Sequence, residues 1–162
     1  MKVCFEGNET QRNDLRNATE KAFNADISVD DGGCVTGLTA RSGKGFGDLQ
    51  KSFQGMVADK NTFYVEFGSG DRVSHFDPDT RTATINPLDI DRKRYISGGF
   101  LGCFFLGGSG TAKFSTPSIL VHELIGHGSG MVGGGKPYQS GIWAENEYHN
   151  AVGEPQRCFE NR

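Results

Sequence analysis

No run of apolar residues in this sequence is long enough to cross a membrane. The longest candidate, GGFLGCFFLGG at 98–108, is short and broken by glycine, whereas a spanning helix needs about 20 predominantly apolar residues. An excess of one charge is also missing. Lys and Arg number 17 against 20 Asp and Glu, for a net charge of −3. The signs are mixed along the chain, so nucleic acid has no basic stripe to bind. The opening MKVCFEGNETQRND turns polar after five residues and does not read as a signal peptide. The expectation is a domain that begins inside a mature fold or is exported as part of something larger. Cys4, Cys34, Cys103 and Cys158 stand far apart with no Cys-x-x-Cys pair, which argues against a cysteine zinc site. Two disulfides in an oxidising compartment and four reduced thiols both remain open.

What is present fits one domain, 1–162, with a genuine core and many loops: 35% of residues are hydrophobic and 24 are glycine. Neither an internal repeat nor a linker is visible. Residues 9–24 carry Leu15, Ala18, Ala22 and Phe23 at helical spacing. The segment 30–48 is turn-rich, with one short strand around Cys34–Leu38, and 48–57 suits a second short helix. In 61–70, Phe63, Val65 and Phe67 alternate with Tyr64 and Glu66, as in a strand. Residues 73–87 read as a hairpin turning at Asp77-Pro78-Asp79, with Thr82–Ile85 returning. The glycine-rich stretch that follows reads as a loop around an apolar cluster. Ser118–Gly126 reads as a buried helix with Thr116 as cap and Pro117 at its first position. Gly128, Gly130 and the GGGK run end it. A last helix, about 142–152, stops at Gly153 with Pro155 beyond. This order predicts an α+β fold with a short, mostly antiparallel sheet, a buried motif helix and a C-terminal helix.

The motif helix carries SILVHELIGHGSG (118–130), in which His122 and His127 are five residues apart. In a regular α-helix such a pair is separated by about 140° and cannot grip one ion. A π-type turn, with i→i+5 pairing, brings the rings back to one side, and Gly126 eases the distortion. The spacing therefore predicts a specific backbone anomaly. Two imidazoles suit zinc, and Glu123 is placed to take a proton from the attacking water. A helix of Ile, Leu and Val would not bury His and Glu together without compensation. The third ligand is expected from WAENEYHNAVGEPQR (143–157): Glu145 is favoured and Glu147 is its rival. His149 or Asn150, about one turn on, would orient a ligand histidine. For a donor to the developing oxyanion, Tyr138, Tyr148, His149 and Arg157 are the candidates, with Tyr148 and His149 preferred as catalytic residues. Arg157 alternatively ties the tail to the body of the domain. His75 reads as a turn histidine near a strand end.

HELIGHGSG (122–130) resembles the motif of the dipeptidyl-peptidase III family, which carries the expanded H-E-x-x-G-H form and the same Gly-Ser-Gly continuation. The resemblance implies zinc held by His122 and His127, Glu123 as general base and a glutamate near 145–147 as third ligand. It covers about nine residues, and this chain is far shorter than those two-lobed peptidases, so dipeptide release is not carried over. The tail ENEYHNAVGEPQR (145–157) is similar to the E-N-…-G-x-P-x-R ending of small effector metallopeptidase domains, delivered by bacterial secretion systems or borne at the tips of polymorphic toxins. That similarity implies secretion or delivery by such a system, or a place as the C-terminal toxin domain of a larger protein.

The expected function is therefore that of a zincin-like zinc metallopeptidase acting on a protein or peptide substrate, with a cognate immunity protein as a further partner. The substrate is expected as an added strand along a sheet edge at Thr82–Asn86. Two alternatives stand beside it: a zinc amidase acting on peptidoglycan or another amide, and a non-enzymatic domain with a structural zinc.

Overall fold

A computed structural model describes residues 2–92, 94–98, 103, 110–132 and 141–158 of the chain, with backbone only for 91–96. The chain begins with a short strand, β1 (Lys2–Phe5), followed by helix α1 (Glu9–Phe23). Asn8 caps α1 in a reciprocal capping box with Gln11, and Asn24 ends it in the left-handed region. Strands β2 (Ala25–Val29) and β3 (Val35–Ala40) form an antiparallel hairpin. Helix α2 (Gly47–Ala58) leads into β4 (Thr62–Phe67), β5 (His75–Asp77) and β6 (Thr82–Ile85). A short helix α3 (Pro87–Arg92) precedes β7 (Arg94–Ser97), which pairs with β8 (Gly110–Lys113).

The fold is α+β, and three of the five strand pairings among the described residues are antiparallel. The largest sheet has the order β1-β4-β6-β5, parallel at its first two pairings and antiparallel at the last. The expected hairpin is present: β5 and β6 pair, and the Asp77 carboxylate accepts the N–H groups of Asp79 and Thr80 at 2.9 and 3.3 Å. The expected substrate edge at Thr82–Asn86 is overturned. β6 lies between β4 and β5, so its backbone groups are used on both sides, and the edge beside it is β5. The apolar cluster expected at 98–108 lies largely outside the described residues.

One face of the sheet makes the core. Phe63 and Val65 of β4 and Ala83 and Ile85 of β6 are fully buried, and the residues that alternate with them, Tyr64 and Glu66 of β4 and Thr82 and Thr84 of β6, face the other way. Against this face pack Leu15 and Phe23 of α1, and Leu49, Phe53 and Met56 of α2, with Phe23 and Phe53 stacked at 4.3 Å between centroids. Each such side chain contributes about 1.5–3 kcal/mol on removal from water. The cysteines are paired as Cys4–Cys34 and Cys103–Cys158. The first ties β1 to the start of β3, and the second ties residue 103 to the C-terminal tail. No helix among the described residues is long and apolar enough to cross a membrane.

Candidate metal centre

Helix α4 (Thr116–Leu120) starts at Ser115, whose side chain accepts from the backbone of Ser118 while the Ser118 hydroxyl contacts the Ser115 backbone. The cap is thus Ser115, one residue before the expected Thr116, because that register gives both orphan donors a partner. The helix does not stop at Leu120. It runs into a π-helical segment, Val121–His127, the anomaly required by the five-residue spacing. Val121, Leu124 and Ile125 of this segment are fully buried, which anchors one side of the widened turn in the core.

Gly126 matters for a reason other than the one expected. Its backbone is not in the left-handed region. A side chain there would place Cβ 2.3 Å from the Cα of Gly141, so Gly126 permits close approach of backbone to backbone. Gly141 opens helix α5 (Gly141–Val152). A Cβ on Gly141 would lie 2.4, 2.5 and 2.7 Å from Nε2, Cδ2 and Cε1 of His122. Near-equal distances to three adjacent ring atoms put that point over the ring face. Gly141 therefore forms a flat seat for the imidazole and leaves its edge open.

The π turn brings the two rings together. Their centroids are 5.3 Å apart and their planes are inclined at 63°. Two imidazoles ligating one tetrahedral ion through nitrogen at about 2.1 Å would have centroids about 5 Å apart. Donor atoms of His122, Glu123 and His127 lie within 4.8 Å of one another, and Glu123 Oε2 is 3.9 Å from His127 Nε2. The two imidazoles offer nitrogen donors that could hold a metal ion, with the Glu123 carboxylate beside them. Burial, together with nearby His122, lowers the His127 pKa, favouring the neutral ring that ligates metals. Burial raises the Glu123 pKa against the opposing charges of His122 and His75.

Glu145 is fully buried and stands outside this group. Its Oε2 is 2.9 Å from Nδ1 of His122, the nitrogen on the far side of the ring from Nε2. Burial disfavours its charge, but hydrogen bonds from His122 and His149 and the positive Arg157 prevail, holding its pKa at about 2. A carboxylate only accepts, so His122 donates from Nδ1 and its lone pair is at Nε2. The position expected to supply a third ligand thus fixes the tautomer of the first. Glu147, the rival, is also outside the group.

His149 is likewise fully buried. Its Nε2 is 3.2 Å from Glu145 Oε1 and its Nδ1 is 3.0 Å from Glu154 Oε2. Both nitrogens face carboxylate oxygens. The ring, expected as a catalytic residue, is enclosed between these two carboxylates. Tyr148, the other expected catalytic residue, is buried and shares a hydrogen bond with Ser115, and burial raises its pKa. Tyr138 lies outside the described residues. Arg157 reaches Glu145 Oε2 at 3.3 Å and lies over the Phe114 ring, which ties down the tail.

Three participants were missed. His75, on β5, acts electrostatically on Glu123, and β5 packs against the π segment. Its place on the first strand of the hairpin was the available signal. Glu154 and Gly141 gave none, since their importance depends on how α5 lies against the π segment. No protein-family model, curated protein or solved structure matches this chain.

Proposed function

We propose that this chain is a zinc-dependent peptidase domain in which His122 and His127 hold the ion and Glu123 is the general base. The observation that carries this reading is the π turn, which sets two imidazoles 5.3 Å apart with a buried glutamate beside them. A zinc ion in that position supplies polarisation of the scissile carbonyl and a water of lowered pKa. Glu123 takes a proton from the attacking water and passes it to the leaving amine. Glu145 serves through His122, holding Nδ1 so that Nε2 is presented. An extended peptide pairs with the β5 edge, His75–Asp77, which carries no further strand among the described residues. Two disulfides support action in an oxidising compartment, in keeping with an exported effector.

Zinc-loaded protein incubated with casein and a peptide library tests this reading. Cleavage is expected, falling about 10²–10⁴-fold in Glu123→Gln with zinc retained. Release of muropeptides with no peptide cleavage would move the assignment to an amidase. Unchanged turnover in Glu123→Gln would remove Glu123 from the mechanism.

A further inference from the structure

The tail after α5 holds the far side of the candidate centre. Gly153, in the left-handed region, reverses the chain, and the Glu154 N–H bonds to the His149 carbonyl at 2.8 Å. The Asn146 side chain brackets Arg157, accepting its N–H at 2.6 Å and donating to its carbonyl at 2.8 Å. The Gly98 N–H bonds to the Gln156 carbonyl at 3.0 Å, and Ser97 bridges Arg157. The next residue, Cys158, is buried and disulfide-bonded to Cys103, which is partly exposed. Arg157, Glu145, His149 and Glu154 follow one another along this network, each in contact with the next. Two members belong to α5 and two to the tail, and His122 donates into the middle of the row. Without the tail, the buried pair Glu145–His149 loses a partner at each end.

We propose that Glu154 and Arg157 are positioning residues for the metal centre, and that the Cys103–Cys158 disulfide gates them. With the disulfide closed, the tail holds Glu145 at Nδ1 of His122 and so keeps Nε2 aimed at the ion. A dithiol reductant opens it: one thiolate attacks a sulfur of the pair, the mixed disulfide is resolved by the second thiol, and two electrons pass to the protein. Two protein thiols and an oxidised, cyclised reductant result. The released tail withdraws Arg157 and Glu154, and zinc binding weakens. The inference rests on the metal reading above.

Competitive zinc titration against a chromophoric chelator, on the full oxidised chain, tests it. Cys103→Ser/Cys158→Ser and Arg157→Ala are expected to weaken zinc binding on the order of 10–100-fold, with Arg157→Lys recovering part of the loss. Cys4→Ser/Cys34→Ser, far from the network, is expected to melt earlier but keep the wild-type zinc Kd. Far-UV circular dichroism reports folding. If the first pair fails to fold, Glu154→Ala, a change at an exposed side chain, carries the test with the same expected direction. Wild-type zinc affinity in the folded tail variants would overturn the gate and leave the metal reading standing. A wild-type chain that binds no zinc would overturn both.

Discussion

The two disulfides close two different kinds of region. Cys4–Cys34 joins β1 to β3 across 30 residues of scaffold, in which Leu15, Ala22 and Phe23 are fully buried apolar groups. Cys103–Cys158 closes 55 residues around the π turn, where the fully buried residues include Glu145 and His149. The first region is held by apolar packing, which tolerates small adjustments. The second adds to its apolar packing a set of directional polar contacts around Glu145, which depend on one arrangement. The difference teaches that stability and site geometry are separable in this molecule, and substitutions can move one without the other.

The largest effect is expected where the second region has no slack. Gly141→Ala puts a methyl group over the His122 ring, and zinc binding should be abolished, measured as metal content after dialysis. Gly126→Ala pushes Cβ into the Gly141 backbone and should lower stability by about 1–3 kcal/mol or more in urea unfolding. In the first region, Cys4→Ser/Cys34→Ser should lower unfolding free energy by about 3–4 kcal/mol; a smaller loss would show that packing alone holds β1.

Acid separates the regions further. Glu145 has its folded pKa depressed from 4.5 to about 2. In chelator-treated protein its contribution, about 3 kcal/mol, is fully present above pH 4.5 and is lost as pH falls toward 2. Comparing wild type with Glu145→Gln by urea unfolding across that window checks the sign, since the difference should shrink on acidification. The smallest effect is expected at Asp30. Its hydrogen bond from the Cys34 N–H, with help from Lys2, lowers its pKa below 3.8. Asp30→Asn should lower the melting temperature slightly near neutral pH, and the difference should vanish as the pH falls through that lowered value.

The sequence was informative where a local pattern carried the structure. Helical spacing of Leu15, Ala18, Ala22 and Phe23 marked α1, alternation of Phe63 and Val65 marked β4, and Asp-Pro-Asp marked the β5–β6 turn. The π turn was legible because five residues between histidines on a regular helix would point them apart. What failed to show was non-local. The four residues of β1 have no alternation to announce a strand, with Val3, Cys4 and Phe5 all buried. The place of β6 inside the sheet depends on its parallel pairing with β4, which no short-range signal encodes. The same holds for Glu145. Its nearness to the motif could be anticipated from residue type and order, but whether it meets the ion or the back of His122 depends on how closely Gly126 and Gly141 let two backbones approach.

Zinc stoichiometry tests the central claim most directly. On the proposed reading, the wild-type chain purified without chelators should carry about one zinc. His122→Ala and His127→Ala should each lose it, and Glu123→Gln should keep it. A metal-free wild type, or zinc that persists after either histidine is removed, would contradict the account.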